Sequence, residues 1–264
     1  MYRKLYSSDY FALNECFNYY MSVFNKFNID IKDKTVLELG PGNSLIIAYN
    51  LLLKGAQKVI LVDKFPLNAF YETTDKTSGL LTEQAQPEYF KGERIFMEDI
   101  HGKDIISELI ETIKKKNLIE FIASDLSDVK GLDNTVDLIL SNSVFEHIYL
   151  PEKTIKRSAK ILKKGAFALH RIDLRDHYNF SRPFIFYKYS EKVWQKYLTK
   201  LGVSYTNRIR YLQFKKMFES VGFKILYEEK KNEINNERRI NQKFQNRNDL
   251  DIAQVDFLFQ NKLT

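Results

Sequence analysis

The sequence predicts an α/β fold with a doubly wound, mostly parallel sheet of seven strands, the last of which runs antiparallel. Two observations support this prediction. Short apolar runs that fit buried strands alternate with stretches that fit helices, an order typical of a parallel sheet covered by helices on both faces. Only a polar stretch separates the last two strand-like runs, so these two strands can pair antiparallel.

The N-terminal half begins with a helix, because apolar side chains recur every three or four residues from about residue 9 to residue 27. "KTVLELG" predicts the first buried strand, "SLIIAYNLLLKG" a helix that ends at Gly55, and "KVILVDK" the second strand. Residues 65 to 115 are harder to interpret, apart from a helix predicted over "GKDIISELIETIKKK".

The C-terminal half continues the alternation. "IEFIASDL" and "TVDLILSNS" predict the third and fourth strands, "EKTIKRSAKILKKG" a helix that ends at Gly165, and "AFALHRIDL" the fifth strand. A helix is expected around Trp194, followed by another over "NRIRYLQFKKMFESVG". "FKILYEEK" and "QVDFLFQNK" predict the last two strands.

Composition places the chain among cytoplasmic globular proteins. Hydrophobic residues make up 44% and charged residues 28% of the 264 positions, an ordinary balance for a folded domain. The longest apolar stretch, residues 45 to 53, is far shorter than the roughly twenty residues that cross a bilayer. The N-terminus lacks a signal-peptide pattern. The single cysteine, Cys16, excludes an internal disulfide and fits a reducing compartment.

The positive charge is concentrated in one segment. The chain carries a net charge of +7, but residues 171 to 216 hold 11 basic and 3 acidic side chains, so the remainder sums to −1. A basic surface attracts anions. An anionic partner is therefore expected to bind this segment.

Acidic side chains stand at the ends of three consecutive predicted strands. Glu38 ends the first strand, Asp63 ends the second, and Asp125 follows the third. The carboxyl ends of parallel strands share one edge of the sheet, where α/β proteins bind ligands. Gly40 and Gly42 follow the first acid and allow a tight turn that a ligand can approach closely. Three acids on one edge therefore predict a ligand site.

Four segments of residues 34 to 174 together resemble class I S-adenosylmethionine-dependent methyltransferases: "VLELGPG", "VILVD", "IASDL" and "VDLILSNSVFEH". Four segments resemble a bacterial subgroup linked to cell-surface polysaccharide biosynthesis: "SNSVFEHI", "LKKGAFALHRIDLRDH", "SRPFIFYKYSEKVW" and "NRIRYLQFKKMFESVGF". The resemblance implies a Rossmann-like fold, S-adenosylmethionine as cofactor and S-adenosylhomocysteine as product. It divides the chain into an N-terminal helical lid (1–33), a cofactor-binding core (34–174) and a substrate-binding insertion with the last helix and strands (175–264).

The resemblance also implies residue roles. Glu38 and the glycine turn would hold the methionine part of the cofactor, Asp63 the ribose hydroxyls, and Asp125 the adenine amine. Asn43 stands where many family members have a third glycine or a small residue. The predicted cofactor-binding residues are Glu38, Gly40, Pro41, Gly42, Asp63, Lys64, Asp125, Leu126, Ser141 and Asn142.

Methyl transfer to oxygen also requires loss of the acceptor's proton, and a placed base contributes about 10²–10⁴-fold. His147, His170 and His177 are the candidate catalytic residues, and one of them is predicted to take the proton. The alternatives are that His147 orients a loop, His170 packs in the core and His177 is an exposed loop residue. Glu146 is a weaker candidate base. No metal is expected, because the acids lie at separate strand ends.

The acceptor is expected to bind the aromatic and basic segment between residues 175 and 220. Aromatic faces suit sugar rings, and guanidinium groups suit phosphate or carboxylate. The predicted acceptor-binding residues are Arg171, Arg175, Tyr178, Arg182 and Arg208. This pattern predicts a small anionic acceptor, such as a nucleotide-linked or phosphate-bearing sugar. The alternative is that the aromatic side chains form a small core.

Three other functions remain open. Interleaved aromatic and basic residues also fit a nucleic-acid methyltransferase, although the remainder of the chain is not basic. A non-catalytic protein that kept the cofactor fold is a second alternative. An oxidoreductase is the weakest, because the glycine turn lacks the third glycine of the dinucleotide pattern and follows an acid. The sequence predicts neither membrane insertion nor a particular oligomeric state.

Overall fold

The structure, a computed structural model, describes residues 8–65, 88–179, 181–196, 206–237 and 239–262. Seven strands in this part form one sheet, in the order β3-β2-β1-β4-β5-β7-β6. The strands are β1 (Thr35–Leu39), β2 (Lys58–Asp63), β3 (Ile119–Ala123), β4 (Val136–Asn142), β5 (Leu162–Asp173), β6 (Phe223–Asn232) and β7 (Ile252–Asn261). The helices are α1 (Ser8–Lys26), α2 (Ile46–Leu53), α3 (Glu88–His101), α4 (Lys103–Lys116), α5 (Pro151–Ile161), α6 (Glu191–Lys196) and α7 (Tyr211–Ser220).

The pairing of the strands confirms the predicted fold. β1 pairs in parallel with β2, and β2 with β3, whereas β7 runs antiparallel to both β5 and β6. Six parallel strands and one antiparallel strand give the Rossmann-like sheet that the sequence predicts. The strand order reverses between β1 and β4, and this reversal point is where open α/β sheets bind ligands.

The chain divides into two compact units. The first comprises Met1–Leu140 and Ile161–Lys163, and the second comprises Ser141–Lys160 and Lys164–Thr264. The first unit therefore holds β1, β2 and β3 with helices α1 to α4, and the second holds most of β5 with β6, β7 and helices α5 to α7. The three-part division predicted from the sequence, with a lid over residues 1–33, stays a prediction. None of the described helices is both long enough and apolar enough to cross a membrane.

In the first unit, the apolar helix α2 carries one polar side chain that joins three helices. Asn50 is buried, and its Nδ2 donates to the backbone oxygen of Ile46 at 3.0 Å and to Asn14 Oδ1 of α1 at 3.3 Å. Its Oδ1 lies 3.1 Å from His101 Nε2 at the end of α3. Buried polar groups are normally satisfied in this way. Asn50 therefore links α2 to α1 and to the end of α3.

Two helix boundaries and one whole helix differ from the sequence prediction. The predicted helix up to Gly165 ends at Ile161, and Gly165 lies inside β5 with φ of +78°. The helix predicted from residue 207 begins at Tyr211, because Arg210 has an extended backbone. The helix α3 was not predicted and occupies part of the stretch that was hard to interpret.

In the second unit, the aromatic segment forms a small core, which was the alternative considered from the sequence. Its buried members are Phe184, Phe186, Tyr187, Trp194, Phe244, Leu250 and Ala253. Arg208 enters this cluster: its guanidinium lies 5.0 Å from the Trp194 ring, and Nη1 donates to the backbone oxygen of Tyr189 at 2.7 Å. Arg210 is fully buried and donates to the backbone oxygens of Leu174 and Ile252. These two cations are therefore parts of the core.

We expect Arg210→Met to lower the free energy of unfolding by about 2–4 kcal/mol, because two buried carbonyl groups would lose their donor. Urea denaturation followed by circular dichroism measures the change. Arg239 is exposed, so Arg239→Met serves as the control and should alter stability by less than about 0.5 kcal/mol. Equal denaturation midpoints for wild type and Arg210→Met would contradict the structural role of Arg210.

Candidate active site

In the first unit, the carboxyl group of Glu38 is buried at the end of β1. The residue is 6% exposed, and its Oε2 has no hydrogen-bond partner. Burial, and secondarily the nearby charge of Glu93, raises the pKa of Glu38 to about 8. A buried carboxyl group without a partner is unfavourable unless a cation neutralises it. A positively charged ligand would therefore stabilise the ionised form of Glu38.

The glycine turn after β1 leaves room beside this carboxyl group. Gly40 and Gly42 have φ of +70° and +62°, in the left-handed region that favours glycine. The Gly40 amide donates to the Val62 carbonyl at 2.8 Å, which ties the turn to β2. A Cβ placed on Gly42 would meet no described atom within 4 Å. Pro41 is buried between the two glycines. The backbone at Gly42 is therefore accessible to a ligand.

A second buried carboxyl group, from α3, lies near Glu38. Glu93 is fully buried, and its Oε2 accepts a hydrogen bond of 3.1 Å from the Leu45 amide just before α2. Its Oε1 has no partner. Burial raises the pKa of Glu93 to about 7, against the opposing effect of the Ser44 hydroxyl and the Leu45 amide. Glu93 was not predicted from the sequence, because no strand end or motif marks its position.

The ends of β2 and β3 bring the other two predicted acids together. Asp63 Oδ1 accepts from the Phe65 amide at 2.9 Å, and the amides of Gly42 and Lys64 also favour its ionised form. Burial nevertheless raises the pKa of Asp63, and the charge of Asp125 adds to that effect. Lys64 Nζ lies 3.6 Å from Asp125 Oδ2.

Leu126, next to Asp125, is buried. Within the first unit, the structure thus groups the predicted residues around the glycine turn.

In the second unit, Ser141 and His170 are bound to each other in the core. Ser141 Oγ lies 2.8 Å from His170 Nδ1, and both residues are fully buried. The His170 ring stacks on Phe218 at 5.4 Å, and burial lowers the pKa of His170 to about 3. These contacts match the alternative considered from the sequence, in which His170 packs in the core. The half-buried Asn142 keeps one oxygen, Oδ1, without a hydrogen-bond partner.

The arginines predicted to bind an anionic acceptor are bound to protein oxygens. Arg171 pairs with Asp256 at 3.2 Å, and Arg182 pairs with Glu237 at 2.7 Å. Arg175 Nη2 lies 2.7 Å from Asp173 Oδ2, and Nη1 lies 3.3 Å from Glu233 Oε1. Together with the core role of Arg208, these pairs compensate the positive charge that the sequence shows in this segment.

Tyr178 is more accessible than the aromatic core. It is partly exposed, with its ring edge against Trp194 at 5.8 Å. It remains a candidate for contact with an acceptor.

His147 and His177 come together although they follow different strands. His147 ends a 3₁₀ turn after β4, His177 follows β5, and their ring centroids are 4.8 Å apart. One donor atom from each of Glu146, His147 and His177 lies within 4.8 Å of the others. His177 Nε2 is 3.5 Å from Asp173 Oδ2. The structure therefore assembles two of the three predicted histidines with two carboxyl groups.

Glu146 is the buried member of this group. It is 1% exposed, and neither carboxyl oxygen makes a well-aligned hydrogen bond. Burial, and to a lesser extent the charge of Asp173, raises the pKa of Glu146 well above its usual range. The Ser143 hydroxyl and the amides of Glu146 and Asp173 are near enough to oppose that shift in part. A cation beside Glu146 would stabilise its ionised carboxylate and so lower its pKa.

The raised pKa values of Glu38 and Glu93 give a pH dependence of stability with a definite sign. The folded protein without ligand holds more protons than the unfolded chain between the ordinary carboxyl value of 4.5 and about 8. The free energy of unfolding contributed by these groups therefore falls as the pH rises through that window.

We expect Glu93→Gln to reduce the loss of stability between pH 5 and pH 8 by about 1–3 kcal/mol, because glutamine does not titrate. Urea denaturation at several pH values measures the difference from wild type. Glu108→Gln, on the exposed face of α4, is the control and should leave the pH profile as it is. A profile for Glu93→Gln that is parallel to wild type would contradict the raised pKa.

Known proteins resemble part of the sequence and the fold of this chain. A family model described as a methyltransferase domain matches residues 78–169, about a third of the chain, from before α3 into β5. The match begins after β2, so it does not include Glu38, the glycine turn or Asp63. A search of curated proteins found no match.

Solved structures share the fold. A candidate sarcosine dimethylglycine methyltransferase from Galdieria sulphuraria is 12% identical, with a TM-score of 0.55, over 97% of this chain and 91% of that one. Phospholethanolamine N-methyltransferase 2 from Haemonchus contortus, solved with phosphomonomethylethanolamine and S-adenosylhomocysteine, is 14% identical, with a TM-score of 0.50, over 94% of this chain and 53% of that one. These likenesses show a shared fold, and the family match adds a resemblance to a methyltransferase domain over residues 78–169.

Proposed function

We propose that the protein is a class I S-adenosylmethionine-dependent methyltransferase that methylates a hydroxyl oxygen of a small acceptor, and that the group formed by Glu146, His147, His177 and Asp173 activates this hydroxyl. The observation that carries the proposal is the close approach of His147 and His177 beside two carboxyl groups. Oxygen acceptors must lose a proton during methyl transfer, and imidazole with a carboxylate partner is a common means of promoting that loss. These residues follow the carboxyl ends of β4 and β5, where α/β enzymes place catalytic groups.

The cofactor would be held by the first unit. The Glu38 carboxylate would accept hydrogen bonds from its ammonium group, Asp63 from the ribose hydroxyls and Asp125 from the adenine amine. The bound cofactor supplies an electrophilic methyl group whose departure leaves a neutral thioether. The protein therefore has no leaving anion to stabilise, and holding the reactants in line can contribute about 7–11 kcal/mol.

For the acceptor, we propose a nucleotide-linked or phosphate-bearing sugar, or a related precursor of a surface polysaccharide. The resemblance of the C-terminal segments to the polysaccharide-linked subgroup supports this class. The arginines support it less than the sequence suggested, because each is already bound to protein oxygens. Among the predicted arginines, Arg182 has the most accessible side chain, 52% exposed, and would contact an acceptor phosphate most readily.

A small amine is the second candidate acceptor. The Haemonchus contortus structure is named as an N-methyltransferase and contains phosphomonomethylethanolamine. Carbon-13 methyl spectra of the product separate the two candidates, since methyl groups on oxygen and on nitrogen resonate at different shifts. Sugar phosphates, nucleotide sugars and phosphorylated amines form the acceptor panel.

We expect Glu38→Gln to weaken the binding of S-adenosylhomocysteine at least tenfold, a change of about 1.4 kcal/mol, because a charge-assisted hydrogen bond is lost. Isothermal titration calorimetry measures the dissociation constant. Asp128→Asn removes an exposed acid near Asp125 and is the matched control. If both variants bind like wild type, the cofactor does not use Glu38.

We expect His147→Asn and His177→Asn to lower the turnover number by about 10²–10⁴-fold while binding of S-adenosylhomocysteine stays within twofold of wild type. Mass spectrometry of S-adenosylhomocysteine formed with the acceptor panel measures turnover. His101→Asn, in the first unit, controls for loss of a histidine and should keep most activity. Full activity in both variants would refute a catalytic role for the pair.

A further inference from the structure

We propose that Glu146, His147 and His177 bind one divalent transition-metal ion. These side chains belong to the same unit, and a donor atom from each lies within 4.8 Å of the others. Two imidazoles and one carboxylate form a ligand set that zinc and neighbouring transition metals prefer, whereas magnesium and calcium prefer oxygen ligands alone. None of the three belongs to the predicted cofactor site.

The state of Glu146 is an independent indication of a cationic ligand. Its carboxyl oxygens are buried, and neither makes a well-aligned hydrogen bond. Leaving such a group without a partner costs folding free energy, whereas coordination to a cation would compensate it. No basic side chain of the described residues is among the groups that shift the pKa of Glu146, and Arg175 in the same unit is bound by Asp173 through Nε and Nη2. An external cation is therefore the partner that fits Glu146.

The surroundings of the two imidazoles resemble the support that metal-binding histidines usually have. Asp173 Oδ2 lies 3.5 Å from His177 Nε2, and Arg175 fixes that carboxylate with a contact of 2.7 Å. Metal-bound histidines commonly use their second ring nitrogen to contact a carboxylate, which orients the ring. His147 and His177 are half-buried, so solvent and ligands can reach the group from one side. Asp173 would thus position His177 without binding the metal.

This inference rests on the proposed function, because it specifies how the same group would activate the acceptor. Three protein ligands leave a coordination position open, and a hydroxyl bound there becomes more acidic. The hydroxyl proton would pass to water, and the oxygen would form the new bond to the methyl carbon. The electron pair of the broken carbon–sulfur bond would remain on sulfur. Metal binding can be tested separately from this reaction.

The test uses untagged full-length protein freed of metal with a chelator. Calorimetric titration with Zn²⁺ and absorption titration with Co²⁺ should each show one equivalent bound, and Co²⁺ should give visible ligand-field bands. Glu146→Gln, His147→Asn and His177→Asn should each weaken binding by at least tenfold. His101→Asn should bind like wild type. Circular dichroism checks folding, and if Glu146→Gln does not fold, the two histidine variants carry the test.

Two results would overturn the inference: no saturable Co²⁺ binding by wild type, or Co²⁺ binding that His147→Asn and His177→Asn leave unchanged. Loss of methyl transfer in the histidine variants without any metal binding would refute the metal site and keep the proposed function, with a free imidazole as the base. Metal binding that depends on these histidines, together with full turnover after metal removal, would confirm the site and refute its proposed part in the reaction.

Discussion

In the described part of the chain, several carboxyl groups are buried without a cation of the protein to neutralise them, and this arrangement constrains both the stability of the fold and the ligands it can bind. Glu38 and Glu93 in the first unit, and Glu146 in the second, have at least one side-chain oxygen without a hydrogen-bond partner. A protein interior disfavours such groups, and evolved cores usually pair them. A protein that keeps such groups buried gives up stability in its ligand-free state. It gains sites that become satisfied when a cationic ligand binds.

The arginines show the opposite arrangement. Arg208 and Arg210 are buried but donate to backbone oxygens or carboxylates, and their guanidinium groups lie over aromatic rings. Their charge is therefore neutralised inside the molecule and organises the aromatic core. A local excess of basic residues indicates an anion site only when their N–H donors are not already bonded to oxygens of the protein. The predicted arginines of this segment are engaged, although Arg182, paired with Glu237, keeps an exposed side chain, and Tyr178 is also exposed.

The sequence predicted the strands and their terminal acids well, since both depend on local patterns. Buried strands appear as short apolar runs, and Glu38, Asp63 and Asp125 mark their ends. Glu93 could not be predicted, because its proximity to Glu38 depends on how α3 packs against the start of α2. For the same reason, the sequence named His147 and His177 as candidates but could not show that they meet, or that His170 is packed in the core. The sequence shows which residues are charged, but only the folded structure shows which residues they pair with.

The raised pKa values of Glu38 and Glu93 also link pH to ligand binding. Near pH 7 the Glu38 carboxyl group of the free protein is mostly protonated, since its pKa is about 8. A cationic ligand favours the ionised form, so its binding releases a proton, and its affinity rises with pH until the group is ionised in the free protein as well. The stability of the free fold falls over the same range, because ionisation leaves buried charge uncompensated. Ionisation of Glu38 therefore lowers the stability of the ligand-free protein as the pH rises, and the same ionisation strengthens the binding of a cation.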